Sequence, residues 1–219
     1  MQIGREAAMT VQMIGLGAAA VLALGYLAQV RAAESWPRSA LKTGAVALLA
    51  VLAFGQLPLL GLALGLCALG DLALSRPGER AFLAGVASFA AGHLAYVALF
   101  LSRPPSDLAA LLTAPMIWGM ATLVLVAGLM ARVLTRHAGE MRGAVLAYVP
   151  VILAMALAAL TLPLPLLWVA AVMFMFSDMV LALETFVLPP AHALRRITGP
   201  VVWVLYWGAQ ALFFAVFAM

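Results

Sequence analysis

Charge is scarce in this sequence. Only 9% of its 219 residues are Asp, Glu, Lys or Arg, 67% are apolar, and the mean hydropathy is +1.14. Such a chain lacks the material for the polar surface of a soluble domain, and a nucleic-acid partner is not expected. Cysteine is almost missing too. The single Cys67 excludes an internal disulfide, and with no His or second Cys beside it in sequence it reads as a packing residue. The three histidines do not fall at zinc-ligand spacing, so no metal site is indicated. No GxSxG elbow, P-loop or dinucleotide fingerprint occurs, which removes support for a serine hydrolase, an ATP-driven machine or a redox enzyme, and no cofactor is expected.

What the chain has instead is long apolar runs. A membrane span needs roughly 20 apolar residues, and breaks rich in charge, Pro or Gly divide the sequence into eight runs. They cover 8–30, 39–55, 58–75, 80–101, 109–134, 142–161, 164–186 and 197–218. The expected fold is all-α, a single polytopic domain of eight transmembrane helices over 1–219. The second and third runs are joined by GQLP and the sixth and seventh by TLPLP, so each pair is expected to form a tight antiparallel hairpin. The first run is too long for a signal-peptide core and is kept as a span. Gly61 and Gly65 form a small-residue packing motif in the third.

Eight spans put both termini on one side, and the basic residues then sort by face. Arg31, Arg38, Lys42, Arg76, Arg80, Arg132, Arg136, Arg142, Arg195 and Arg196 fall on one side, and only Arg5 and Arg103 on the other. Positive loops stay inside, so the first face is read as cytoplasmic and both termini as outside. The net charge of +4 is thus a matter of orientation. The Ala, Leu, Arg and Gly bias fits a GC-rich bacterium and hence a multi-pass protein of the bacterial inner membrane.

Against this hydrocarbon background a few polar residues stand out: Asp71, His93, Tyr96, Tyr148, Ser177, Asp178, Tyr206 and Gln210, with Lys42 opening the second span. Ionisable groups are costly in a bilayer core and usually mark a pathway or a reactive site. At about 1.5 Å of rise per residue, Lys42, Asp71, His93, Tyr148, Asp178, Tyr206 and Gln210, on six spans, fall between the basic face and the midplane, where they can line one cavity. His93 and Tyr96 share a helix face at i, i+3, and Tyr206 and Gln210 at i, i+4. Pro150 removes a backbone donor two residues after Tyr148 and is expected to kink its span. The bland alternatives are that Asp71 pairs with Arg76 or Arg80 near the interface, that His93 is interhelical glue, and that the tyrosines only pack. Glu184, His137 and His192 read as interfacial.

The order of motifs carries more than any one of them. Lys42 opens span two; Gly70-Asp71, Gly92-His93-x-x-Tyr96, Ala147-Tyr148, Ser177-Asp178 and Tyr206-x-x-Ala209-Gln210 follow on spans three, four, six, seven and eight. This series resembles the YhhN-like lysoplasmalogenase family of eight-span membrane proteins from about residue 38 to the end. Two positions depart from that pattern: Thr43 follows the lysine where Pro is expected, and Trp207 stands where a second tyrosine is frequent.

The resemblance implies hydrolysis of the vinyl ether bond of lysoplasmalogens, giving a fatty aldehyde and a glycerophosphocholine or glycerophosphoethanolamine. A membrane lysophospholipid would be the partner. Such a reaction needs a proton donor to carbon and an anion or base, roles that two carboxylates can divide. Asp178 is taken as the acid and Asp71 as the partner that steadies the cation or activates water, although the roles can be exchanged. His93 is expected to orient a carboxylate or relay a proton. Tyr148, Tyr206 and Gln210 are expected to position water and glycerol, with Tyr96 and Ser177 also at the substrate, and Lys42 to meet the phosphate. The competing expectations are a proton-coupled transporter or lipid flippase built on the same Asp/His cluster, and a non-catalytic lipid-binding scaffold.

Overall fold

The computed structural model describes residues 2–219, with backbone alone for residues 2–5, 7 and 8. The side chain of Arg5, counted above on the outer face, lies outside the described residues. Eight α-helices follow one another: α1 (Gln2–Gln29), α2 (Trp36–Phe54), α3 (Pro58–Leu74), α4 (Glu79–Ser102), α5 (Met116–Leu134), α6 (Arg142–Leu160), α7 (Pro165–Phe186) and α8 (Arg195–Ala218). Two 3₁₀ turns, Leu108–Leu112 and Gly139–Met141, flank α5. Among the described residues, seven helices are long and apolar enough to cross a membrane. The eighth, α3, has 17 residues and sits at the short end of the spanning range. The chain is a polytopic helical membrane protein. Many large apolar side chains, among them Val51, Val21, Ile14 and Trp118, are exposed, as a lipid-facing surface requires.

Helix starts follow from local chemistry. Ser35 caps α2 by accepting from the Arg38 N–H at 3.4 Å, and prolines occupy the first turns of α2, α3 and α7, where a missing donor costs nothing. The fifth span corrects its expected start at 109. Residues 108–112 form a 3₁₀ turn and the α-helix opens only at Met116. Pro115 explains this, because the residue before a proline is turned away from helical geometry.

The helices divide into two compact units, residues 1–92 with 210–219, and residues 93–209. In the first, α2 and α3 form the expected hairpin around Gly55–Leu57, closed by Leu57 N–H donating to Ala53 O at 2.8 Å. Gly61 lets the two backbones meet: a Cβ there would lie 2.6 Å from Phe54 Cα, and one on Gly65 would lie 3.9 Å from the Ala50 methyl. The small-residue motif is therefore spent inside the hairpin. Helix α4 crosses α3 as closely at Gly92, where a Cβ would meet Cys67 Sγ at 2.8 Å and Ala63 O at 3.2 Å. Cys67 is buried in this packing.

In the second unit, α5, α6 and α7 enclose Leu123, Ile152, Ala156, Leu160 and Met175. The α6–α7 hairpin turns at 161–164, tied by the Trp168 indole N–H to Leu162 O at 2.7 Å. Pro150 lies inside α6 without ending it.

Candidate functional site

Within each unit some of these polar residues come together. In the first unit Asp71 sits at the end of α3 and is 1% exposed, with Oδ1 3.1 Å from the Lys42 ammonium on α2. Its partner is therefore Lys42, a residue 29 positions earlier, rather than the sequence-local Arg76 or Arg80. Gln210 belongs to this unit and is fully buried. One turn on from Asp71, the Ser75 hydroxyl donates to the Asp71 carbonyl at 2.7 Å, which binds the last turn of α3 into its own helix end.

The second cluster is built by α4, α6 and α7. Tyr148 donates its hydroxyl hydrogen to Asp178 Oδ2 at 2.9 Å, and His93 Nε2 stands 3.5 Å from the same oxygen. The first is an ordinary hydrogen bond; the second is longer than one and is an electrostatic contact. His93 is fully buried and the Asp178 side chain 11% exposed, so the carboxyl marks the approach to the cluster and the imidazole its interior.

Aromatic rings fix the imidazole. Phe174 lies against it at 4.3 Å between centroids, and the Tyr148 ring stands edge-on at 5.7 Å. Because Phe174 and Asp178 are i, i+4 on α7, one helix face carries both the ring that His93 rests on and the acid it faces. Tyr96 and Tyr206 extend this wall through edge contacts with Phe174 at 6.5 and 5.3 Å, and Trp203 backs Tyr206 at 5.8 Å.

Of the residues singled out in the sequence, His93, Tyr148 and Asp178 meet directly, and Tyr96 and Tyr206 join them through Phe174. Ser177 turns away: its hydroxyl donates to Val202 O at 3.0 Å and pins α7 to α8. Glu184 pairs with Arg195 at 3.8 Å near the α7–α8 loop. One residue that sequence reasoning passed over, Phe174, completes the ring cluster, while Trp203 stands behind Tyr206 as its place on the same helix predicts. Only the i, i+4 relation of Phe174 to Asp178 could have flagged it. Among the described residues no three His, Cys, Asp or Glu side chains converge on a metal position.

An acid that receives one hydroxyl and faces one imidazole can exchange a proton with a bound molecule, and the rings around it can accommodate positive charge. A family model described as the YhhN family matches residues 37–217. No curated protein and no solved structure matches the chain.

Proposed function

This chain belongs to the YhhN family, and we propose that it is a lysoplasmalogenase of a bacterial inner membrane, cleaving the vinyl ether of lysophospholipids with Asp178 as general acid. The observation that carries the reading is the convergence of Tyr148 and His93 on one oxygen of that carboxyl.

Vinyl ether hydrolysis starts when a proton is added to the carbon two bonds from the ether oxygen, which leaves an oxocarbenium ion. Water adds to the carbon next to oxygen and loses a proton, giving a hemiacetal. That hemiacetal collapses to the aldehyde and the glycerol hydroxyl. While Oδ2 accepts from Tyr148, the proton that Asp178 gives is carried by its other oxygen, so Tyr148 sorts the two oxygens into acceptor and donor. His93 takes up the proton that the water loses and returns it to the carboxylate, and the rings of Phe174, Tyr96 and Tyr206 present their faces to the cation. In the other unit, Asp71 and Lys42 form an ion pair that turnover is expected to require. Basic loops on the cytoplasmic side set the orientation, so the substrate comes from the inner leaflet.

The test is aldehyde release by purified protein in detergent from an alkenyl lysophospholipid, run beside its alkyl and acyl analogues and the Asp178→Asn and Asp71→Asn variants. Aldehyde from the alkenyl lipid alone, lost in both variants, is expected. Folded wild-type protein that releases none would instead favour the transport reading and call for proton-flux measurements in liposomes.

A further inference from the structure

The basic end of the first unit holds a cation that neither the fold nor the ion pair consumes. Arg38 is spent on the end of α1: its guanidinium donates to Gln29 O at 3.1 Å and Val30 O at 3.0 Å and lies over the Tyr26 ring. Lys42 is spent on Asp71. The phosphate contact expected of Lys42 therefore competes with a nearly buried carboxylate.

Arg76 is different. Just beyond the end of α3 its Nη2 donates to Ser35 O at 3.4 Å and to the Ser39 hydroxyl, and its guanidinium lies 4.2 Å over the Trp36 ring. The Ser39 hydroxyl is itself oriented by donating to Ser35 O at 3.0 Å, and Ser39 is 1% exposed. Arg76 is thus held flat and in place, yet it forms no ion pair with any described residue, and its Nε is buried without a hydrogen-bond partner. A guanidinium has five N–H donors; with Nη2 engaged and Nε buried, those on Nη1 remain for an incoming acceptor. Trp36 is exposed, as aromatic residues at headgroup depth are. A fixed guanidinium with unused Nη1 donors at that depth suits an oxygen of a phosphate, and its charge stays in place where a lysine's flexible stem would let it wander.

We propose that Arg76, held by Ser39 and Trp36, binds the phosphate of a lipid headgroup at the basic end of the first unit. The assignment does not depend on hydrolysis, and its test uses a lipid that has no vinyl ether to cleave. The purified protein in dodecyl maltoside is titrated by thermophoresis with 1-O-hexadecyl-glycero-3-phosphocholine, with 1-O-hexadecylglycerol and with inorganic phosphate, for wild type, Arg76→Gln, Arg76→Lys and Ser39→Ala. Arg76→Gln is expected to weaken the phospholipid about tenfold, the loss of a charge-assisted contact at a partly exposed site. Arg76→Lys and Ser39→Ala are expected to give smaller losses, with the phosphate-free lipid bound equally by all four. Equal phospholipid binding by wild type and Arg76→Gln overturns the proposal. So does an equal loss of both lipids, which would mean a damaged fold or tail site. Inorganic phosphate bound as tightly as the phospholipid, with the same dependence on Arg76, would assign the residue to free phosphate and also overturn it. Should Arg76→Gln fail to fold, the comparison of Arg76→Lys and Ser39→Ala with wild type decides.

Discussion

Replacing Lys42 with methionine removes the cation facing Asp71 while keeping most of the stem that packs beside it. At 3.1 Å and an effective dielectric near 20, the attraction in this pair is about 5 kcal/mol before desolvation. Asp71 is 1% exposed, so Lys42→Met takes the facing cation from a buried carboxylate and should cost about 3–5 kcal/mol. The reverse change is milder. Lys42 is 16% exposed and its flexible stem can carry the ammonium toward the interface, so Asp71→Asn should cost about 1–2 kcal/mol. The double variant buries an amide without a charge partner and should be less destabilised than the sum of the singles, with a coupling of about 2 kcal/mol. Reversible unfolding in mixed micelles, followed by far-ultraviolet circular dichroism, measures all three. Equal costs for the two single variants, adding to within about 0.5 kcal/mol in the double, would refute the ion pair as the element that holds α2 to the end of α3.

Tyr148→Phe keeps the ring against His93 and removes the bond to Asp178. Turnover should fall roughly 10-fold to 150-fold, the worth of a hydrogen bond to a charged group, with little change in melting temperature. Phe174→Leu opens space beside the imidazole at the 4.3 Å contact; it should destabilise the protein by about 1–2 kcal/mol and loosen His93, read as a broadened imidazole resonance in NMR spectra of the labelled protein. Gly92→Ala drives a methyl to 2.8 Å from Cys67 Sγ and 3.2 Å from Ala63 O, and should cost about 1–3 kcal/mol in thermal unfolding. Adding Cys67→Ala should recover only part of that, because the Ala63 carbonyl stays in place.

Much of this structure was legible because hydropathy and punctuation dominate a membrane chain. The apolar runs and the Pro and Gly breaks locate all eight helices, and both tight hairpins turn where GQLP and TLPLP stand. The start of α5 was misread because the stretch after residue 108 is apolar throughout, and apolarity cannot separate a 3₁₀ turn before Pro115 from the helix after it. Depth along the spans groups Lys42, Asp71, His93, Tyr148, Asp178, Tyr206 and Gln210, and of these the structure brings His93, Tyr148 and Asp178 together on α4, α6 and α7. Partner choice was less legible, since pairing across helices depends on rotation about each helix axis, which spacing along one helix does not specify. Asp71 therefore meets Lys42 instead of the nearby arginines, and Ser177, adjacent to Asp178 in sequence, faces Val202 because neighbours on a helix point about 100° apart. Phe174 was hidden for the opposite reason: one more phenylalanine in an apolar span carries no signal until His93 is found lying on it.

A protein acid that delivers its proton to carbon leaves solvent hydrogen on that carbon, and an isotope label makes it visible. The reaction is run in D₂O on an alkenyl lysophospholipid with wild type and Asp178→Asn, and the aldehyde is reduced at once to the alcohol for mass spectrometry. A single deuterium at the carbon next to the former aldehyde carbon is expected in the wild-type product, and no product from Asp178→Asn. Aldehyde without deuterium at that carbon, or undiminished release by Asp178→Asn, would contradict it.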